Sequence, residues 1–321
     1  MGITCKEIAE KLGISRQAVY SVLSNKAVCH VSAEKRDKIL YLAKLYHYQP
    51  NIAAIRLNGK PTRIIGIIAD GYWGPGGRRN FAVSELLEKQ GYSVLSEAAV
   101  STPQMHQSIA RLAGLGAAGI FYPYYMLYNL RSEEIPVPSV AFDGEAGFDA
   151  AAGMELLARH LVEVHGHKRI LLCRNIDVPN PVAPGEYYDR SMEKLGLEKF
   201  PIFYTGTGNE FLDQLPEQIK QNGITAVIAY GEGAHMIHAL RLRGIRVPED
   251  VTVVSCHDGA EAPEITSIAR DIAKEAELLV ETLLEKIENG HHDALSVPRL
   301  APPAGLRLGV SCGCLEYGRE K

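Results

Sequence analysis

Arg16 and Gln17, two long hydrogen-bonding side chains, directly follow Ser15 near the start of the chain. A guanidinium group can form two hydrogen bonds to guanine, and a carboxamide group can do the same with adenine. Serine is a frequent helix cap, so both side chains are predicted on the first turn of a helix that begins after Ser15. This arrangement indicates contact with base edges, although an ordinary polar helix start has the same pattern.

Three short helices are predicted around these two residues. Thr4 and Glu7 have the spacing of a capping box, and Gly13 is placed to end the first helix. Apolar residues recur at helical spacing in each segment: Ile8, Ala9 and Leu12; Val19, Val22 and Leu23; Ile39, Leu42, Ala43 and Tyr46. Three helices with a glycine-containing turn between the first two form a helix-turn-helix unit. Its second helix enters the major groove of DNA with its N-terminal turn toward the bases.

The first 60 residues are basic although the whole chain is acidic. They contain ten Lys and Arg against four Asp and Glu, a net charge of +6, so within a total of −4 the remaining 261 residues carry −10. This asymmetry predicts an anionic partner for the N-terminal segment alone, and nucleic acid is the commonest such partner. A solvated charged face is the alternative that composition leaves open.

Length and composition limit the other possibilities. A chain of 321 residues, 46% of them hydrophobic, can form one small and one large domain or three small ones. No apolar run spans a bilayer, and the first residues lack the features of a signal peptide. Six scattered cysteines suit a reducing compartment, so we expect a cytoplasmic protein with no membrane partner. Cys312 and Cys314 form too short a pair to indicate zinc, so no metal and no cofactor is expected.

From residue 62 onward, strand-like and helix-like segments alternate. Eight short apolar runs mark the predicted strands: 63–69, 93–98, 119–124, 139–144, 169–174, 201–204, 226–230 and 251–255. Such alternation predicts an α/β fold with parallel sheets covered by helices on both faces, here in two doubly wound lobes. Ligands in open α/β sheets bind at the carboxyl ends of the strands, which predicts a site in the cleft between the lobes.

Aromatic residues are frequent in the loops after the first and third predicted strands. Among them are Tyr72, Trp73, Phe81 and Tyr122. Aromatic rings beside a cleft can stack on the face of a sugar or a base, although buried or interface aromatics have the same pattern. Arg78 and Arg79, in the first of these loops, can meet an anionic group or remain solvated.

Several stretches match a known family pattern. They are GISRQAVYSVLSN, HVSAEKRDKI, YQPNIAAIRLNGK, RIIGIIAD, GYSVL, RVPEDVTVVSCHD and ITSIARD. On these stretches the sequence resembles the lactose/galactose repressor family of bacterial transcription factors. The resemblance covers essentially the whole chain; it is dense in residues 1–70, clear at 244–271 and looser between them. It implies a small all-α helix-turn-helix domain followed by two lobes with the fold of periplasmic sugar-binding proteins.

The resemblance also implies which residues meet DNA. Arg16, Gln17 and Ser21 fall at base-contacting positions, and Ser21 stands where arginine is common in the family. Residues 51–58 match a hinge helix that orders on operator DNA, and Leu57 matches the leucine that wedges into the central minor-groove step. Contacts to the DNA backbone are implied for Thr4, Ser15, Asn25, His30, Ser32 and Asn51.

The match in the remainder of the chain is less complete. Asp143 matches a ligand-contacting aspartate, whereas His257 occupies the place of another pocket aspartate. The arginine usual near 182–184 is replaced by Val182 and Pro184, which puts the identity of the effector in doubt. We expect the effector site to be lined by Tyr72, Trp73, Phe81, Tyr122, Asp143, Asn175, Tyr187 and His257. Aromatic faces with one carboxylate favour a neutral, ring-bearing ligand, a sugar or glycoside, or a nucleoside.

The predicted domain boundaries follow from the same pattern. A helix-turn-helix domain is expected over 1–48, a hinge helix and linker over 49–61, and an effector-binding and dimerisation domain over 62–321. Within the last domain the first lobe is expected to comprise 62–145 and 271–291, and the second lobe 146–268 and 292–321. Three crossovers between the lobes are therefore predicted, near 144–150, 268–272 and 290–294.

These features predict a homodimeric transcriptional regulator, a repressor, that binds pseudo-palindromic double-stranded operator DNA and responds to a small molecule, a sugar or glycoside, in its cleft. A regulator controlled by a partner protein, without an effector, is the alternative. A transport solute-binding protein is disfavoured by the basic N-terminal segment. An enzyme is disfavoured because Cys256 and His257, as neighbours on a strand, point to opposite faces and do not pair.

Overall fold

The structure, a computed structural model, describes residues 3–23, 31–48, 62–69, 74–99, 101–123, 135–174, 183–204, 211–231, 233–257, 262–290, 295 and 297–315. The chain forms two compact units, residues 1–62, termed the head, and residues 63–321, termed the body. Among the helices of these described segments, none combines the length and the apolar character needed to cross a membrane.

The head contains the three predicted helices: α1 (Cys5–Leu12), α2 (Arg16–Leu23) and α3 (Ala33–Leu45). Thr4 and Glu7 form the predicted capping box at the start of α1, and Gly13 ends that helix in the left-handed conformation with φ 62°. The apolar faces of the three helices meet in one small core, with Ile8, Val19 and Ile39 fully buried.

The body contains two six-stranded sheets. The strands of the first sheet are β1 (Ile64–Ala69), β2 (Ser93–Ala98), β3 (Gly119–Pro123), β4 (Ser139–Phe142), β5 (Ala146–Phe148) and β11 (Arg299–Ala301). The strands of the second sheet are β6 (Ile170–Arg174), β7 (Phe203–Tyr204), β8 (Ala226–Tyr230), β9 (Thr252–Ser255), β10 (Thr266–Ala269) and β12 (Gly305–Arg307). The strand orders are β2-β1-β3-β4-β5-β11 and β7-β6-β8-β9-β10-β12.

Helices cover both faces of each sheet. The helices of the body are α4 (Gly74–Lys89), α5 (Thr102–Gly114), α6 (Ala150–Arg159), α7 (Ala183–Lys194), α8 (Phe211–Gln221), α9 (Gly233–Leu242) and α10 (Ile272–Asn289). On the first sheet α5 packs on one face, and α4 and α10 pack on the other. On the second sheet α6 and α7 share one face, and α8 and α9 share the other. The predicted α/β fold with two doubly wound lobes is confirmed.

The lobe boundaries differ in detail from the prediction. Strands β5 and β11 were expected in the second lobe, but they pair with each other at the edge of the first sheet, with Ala301 opposite Phe148. The chain therefore leaves the first sheet after Phe148, returns after Ala269 and leaves again between Ala301 and Gly305. The difference arises because β5 and β11 are three residues long, too short to show a hydrophobic period of their own.

A buried ion pair ties α10 to the first sheet. Lys286 Nζ lies 2.7 Å from Glu145 Oε1 and donates to the carbonyl of Ser139 at 2.8 Å. The Glu145 carboxylate also accepts the backbone N–H groups of Ala141 and Leu295. Both charged side chains are less than a tenth exposed, so each depends on the other for compensation of its charge.

We expect Lys286→Met to lower the free energy of unfolding by about 3–5 kcal/mol, because it leaves the Glu145 carboxylate buried without its cation. Urea denaturation of the full chain measures the change. Lys274→Met is the matched control, because this lysine is exposed on the same helix and its loss is expected to cost less than about 0.5 kcal/mol. A loss at Lys286 no larger than that of the control would contradict the assignment.

Candidate functional site

The first turn of α2 presents the two side chains singled out in the sequence. Arg16 and Gln17 are exposed, whereas Val19 and Val22 on the opposite side of the helix are buried in the core of the head. The Ser15 hydroxyl accepts a hydrogen bond from the backbone N–H of Ala18 at 3.1 Å, which caps this turn. The core thus holds α2 in place while the side chains of its N-terminal turn stay exposed.

The other predicted DNA contacts occupy varied environments. The Ser21 hydroxyl is half-buried and donates to the carbonyl of Gln17 at 2.8 Å. The Thr4 hydroxyl donates to the Glu7 carboxylate within the capping box, and Ser32 is exposed at the start of α3. Leu57, Asn25, His30 and Asn51 lie outside the described residues.

Asp143 lies directly after β4, at the carboxyl end of the first sheet. Its backbone has φ 60°, a left-handed conformation uncommon for residues other than glycine. Its Oδ1 accepts the backbone N–H of Phe148 at 2.9 Å. Two arginine side chains approach the same carboxylate, Arg79 at 3.1 Å and Arg270 at 3.6 Å. The Asp143 carboxylate therefore lies between the guanidinium groups of Arg79 and Arg270, at the edge of the sheet where the strands end.

Both arginines are held by aromatic rings as well as by carboxylates. The Arg79 guanidinium lies 3.8 Å from the ring centre of Phe142, and that of Arg270 lies 4.5 Å from the ring centre of Phe148. Arg270 also forms two hydrogen bonds, of 2.9 and 2.6 Å, to the Glu275 carboxylate. Burial raises the pKa of Glu275, and the neighbouring Arg270 opposes that rise. These rigid, paired cations are positioned before any ligand binds.

The second sheet contributes Tyr230 and His257 from the carboxyl ends of β8 and β9. Their rings meet edge to face with centres 5.2 Å apart. Burial raises the pKa of the Tyr230 hydroxyl, and the charge of Asp143 raises it further, whereas Arg174 lowers it. Arg270, which follows β10 of the second sheet, lies 3.6 Å from the Asp143 carboxylate of the first, so strand ends of both sheets contribute to one site.

The structure brings together some of the residues predicted to line the effector site. Asp143 and His257 stand at these strand ends, and Tyr187 is half-buried on α7. Phe81 is 67% exposed on α4, so its ring lies in solvent. Tyr72, Trp73 and Asn175 lie outside the described residues.

Tyr122 differs from the prediction. It is 1% exposed, and its ring belongs to the core between the first sheet and α5. A ring packed there contacts Ile and Met side chains of the core and cannot stack on a ligand. Tyr122 was expected to line the effector site, with burial as the open alternative, but the pleat of β3 turns its side chain toward α5.

Buried cations of the site were missed in the sequence. Arg174 is 1% exposed at the end of β6, and Arg270 directly follows β10. Arg79 is 3% exposed, so of the two alternatives considered for it, contact with an anionic group and solvation, the structure excludes solvation. Arg174 and Arg270 both come directly after an apolar strand segment. The rule that ligands bind at the carboxyl ends of strands could have found them.

Comparison with known proteins agrees with both units. The periplasmic binding protein-like domain family matches residues 158–312. The transcriptional regulator DegA of Bacillus subtilis is 25% identical over 306 residues, covering 85% of this chain and 88% of that protein. The transcriptional repressor PurR of Haemophilus influenzae is 26% identical over 318 residues, covering 88% of this chain and 91% of that protein.

Among solved structures, the lac repressor dimer bound to operator and the anti-inducer ONPF has a TM-score of 0.75 at 20% identity, covering 97% of this chain and 99% of that chain. The regulator CelR in complex with cellobiose has a TM-score of 0.63 at 20% identity, covering 96% of this chain and 99% of that chain. Over most of its length this chain is similar to transcriptional regulators of the lactose/galactose repressor family.

The cations near this edge differ from the pattern of the lactose/galactose repressor family that the sequence resembles. The arginine usual near 182–184 in that family is replaced here by Val182 and Pro184. Arg174 and Arg270 lie at the ends of β6 and β10, whereas Arg79 lies on α4. Arg79 and Arg174 are buried, and the Arg270 side chain is 10% exposed.

We expect Asp143→Asn to lower the free energy of unfolding by about 1–3 kcal/mol, because it removes the negative charge between two largely buried guanidinium groups. Asparagine retains an oxygen that can accept the Phe148 N–H, so the change reports mainly on charge. Urea denaturation of the full chain measures it. Asp189→Asn, at an exposed position of α7, is the control and is expected to stay within about 0.5 kcal/mol of the parent. Equal stability of the two variants would show that Asp143 does not compensate the arginines.

Proposed function

We propose that this protein is a homodimeric transcriptional repressor that binds operator DNA in the cytoplasm and changes its operator affinity when a small molecule binds between the lobes. One observation carries the proposal: an apolar core buries one side of α2 while Arg16 and Gln17 remain exposed on its N-terminal turn. Exposed side chains that can pair with guanine and adenine, at that position of a helix-turn-helix unit, suit major-groove readout.

The relatives support the same assignment. DegA and PurR are transcriptional regulators, and the lac repressor, a dimer in its solved structure, is bound to operator. Dimerisation would present two copies of α2 to the two half-sites of a pseudo-palindromic operator. In that complex Ser21 would join Arg16 and Gln17 at the bases, and Leu57 would wedge into the central minor-groove step. The backbone contacts would come from Thr4, Ser15, Asn25, His30, Ser32 and Asn51.

An enzymatic role has weaker support. Burial raises the pKa of the Cys256 thiol to about 12, which keeps it protonated and poorly nucleophilic at neutral pH. The adjacent His257 ring packs against Tyr230. The curated relatives are regulators, which agrees with a protein that binds ligands without transforming them.

We expect Arg16→Ala to weaken operator binding by about 1–3 kcal/mol and to relax the base preference at one position of each half-site, since a bidentate contact to one base is lost. Selection of bound sites from random DNA, followed by affinity measurement on the selected site, tests both effects. Arg243→Ala, which removes an exposed arginine of the body, is the control and is expected to leave affinity and preference unchanged. A uniform loss over all sequences with the preference intact would assign Arg16 to the phosphates and contradict base readout.

The proposed effector is a sugar or glycoside. The Asp143 carboxylate and the guanidinium groups around it can accept and donate hydrogen bonds to neighbouring hydroxyl groups, while the Tyr230 and His257 rings lie beside them. The solved relative CelR is bound to cellobiose. Hydroxyl-rich, ring-bearing molecules match this combination of charge and aromatic surface.

We expect one member of a panel of mono- and disaccharides and their glycosides to change the fluorescence of Trp73, the only tryptophan, and to change operator affinity by about 5- to 150-fold. Asp143→Asn and His257→Gln should weaken both responses, because they alter groups at the proposed site. Titrations of fluorescence and of operator binding measure these effects. If no sugar, glycoside or nucleoside produces a signal and both variants regulate normally in cells, the alternative of control by a partner protein replaces the effector.

A further inference from the structure

Four potential metal ligands converge in the second lobe, and none of them is among the residues proposed to bind DNA or effector. They are His160, His165, Cys312 and Cys314, and one ligand atom from each lies within 4.8 Å of all the others. The two histidines follow α6, and the two cysteines lie near the end of the described chain. Their sequence separation of about 150 residues hides the cluster from any search for local motifs.

The separations match those that one tetrahedral ion would impose. The Nε2 atoms of His160 and His165 are 3.2 Å apart. Cys314 Sγ lies 3.3 Å from His165 Nε2 and 3.6 Å from His160 Nε2, and Cys312 Sγ lies 3.6 Å from His160 Nε2. Zinc bonds of about 2.3 Å to sulfur and about 2.0–2.1 Å to nitrogen, at tetrahedral angles, place neighbouring ligand atoms about 3.3–3.8 Å apart.

Hydrogen bonding alone does not account for this convergence. An imidazole Nε2 has either one proton or one lone pair, so it directs one hydrogen bond along the ring plane. His160 Nε2 nevertheless lies within 3.6 Å of three heteroatoms, His165 Nε2 and both cysteine sulfurs. Several atoms that all approach one another, rather than forming a chain of donor and acceptor pairs, indicate a shared centre.

Local backbone structure directs each pair of ligands toward this centre. Residues His160–Val164 form a π-helical turn, in which hydrogen bonds span five residues, and this winding brings His160 and His165 to the same side. On the cysteine side of the cluster, Val310–Cys312 form a 3-10 turn that ends at Gly313 with φ 79°. This left-handed residue, which favours glycine, reverses the chain between the two cysteines.

The surroundings fix the cysteine side of the cluster. The Ser311 hydroxyl donates to the carbonyl of Val253 and accepts the N–H of Thr266 at 3.0 Å. Thr266 Oγ1 lies 2.8 Å from Cys312 Sγ, where its hydroxyl can donate to a thiolate. Hydrogen bonds of this kind to metal-bound sulfur orient the ligand.

We infer that His160, His165, Cys312 and Cys314 bind one zinc ion. Two sulfur and two nitrogen ligands in tetrahedral geometry suit Zn²⁺, and four protein ligands leave no open position for substrate, so the site is structural. The ion would fasten the C-terminal segment, which follows the last passage between the lobes, to the end of α6. The sequence prediction of no metal considered only the short Cys312–Cys314 pair and could not include the histidines.

Metal analysis of the full chain tests this inference. Protein expressed with zinc in the medium and purified under reducing conditions without chelator should contain about one zinc ion per chain by mass spectrometry. Cys314→Ser and His165→Gln, at partly exposed positions, should each lose most of the zinc while retaining the circular dichroism of the parent. Cys5→Ser and His106→Gln, which replace the same residue types outside the cluster, should keep the parent zinc content.

A second measurement guards against variants that do not fold. Removal of zinc from the parent protein by a strong chelator should lower its melting temperature, and added Zn²⁺, but not Mg²⁺, should restore it. Co²⁺ added to the metal-free protein should give the intense visible absorption of a tetrahedral thiolate site. A parent protein that carries no zinc and gives no such cobalt spectrum, or variants of the four ligands that retain the full zinc content, would overturn the inference.

Discussion

Every neighbouring pair of strands in the body that the structure describes is parallel, apart from the antiparallel pair of β10 and β12. Parallel strands require crossovers that return over a face of the sheet, and helices of the body cover both faces. All carboxyl ends of a sheet therefore lie along one edge. Asp143 follows β4 of the first sheet and Arg270 follows β10 of the second, so their ion pair joins the carboxyl edges of the two sheets.

Several buried or partly buried charged side chains lie at this carboxyl edge. A buried charge is tolerated when an opposite charge or hydrogen bonds compensate it. Asp143 lies between two guanidinium groups, and Arg270 is shared between Asp143 and Glu275. Aromatic faces beneath the arginines replace part of the lost hydration. Such a network is rigid because moving one charge exposes the others to an uncompensated environment. A ligand that exchanged hydrogen bonds with one member would act on all of them, which is a physical route from binding to a change of lobe arrangement.

The head obeys a different constraint. Among its described residues the core is small, with five buried apolar residues shared among three short helices. Caps at Thr4 and Ser15 satisfy backbone groups that the core cannot shield. One side of α2 does not pack against the core of the head, and Arg16 and Gln17 are exposed on that side. The buried and the exposed residues of α2 thus lie on opposite sides of the helix.

Much of this organisation could be predicted from the sequence because it is local. Helical periodicity and caps located the three helices of the head, and strand–helix alternation from residue 62 located the two lobes. Asp143 and His257 could be placed at strand ends from the sequence because each follows a predicted strand. Each of these signals lies within a few residues, where hydrophobic spacing and turn chemistry act directly on the backbone.

Tertiary structure alone decided the rest. Strands β5 and β11 pair with each other at the edge of the first sheet. Each is too short for its hydrophobic pattern to predict the strand with which it pairs. Tyr122 became a core residue because α5 covers its side of β3. Arg79 is buried against Asp143 and Phe142 from a distant segment of the chain, and His165 meets Cys314 across 149 residues. Sequence spacing determines what each segment can form by itself, whereas burial, charge compensation and ligand convergence depend on which segments the fold brings together.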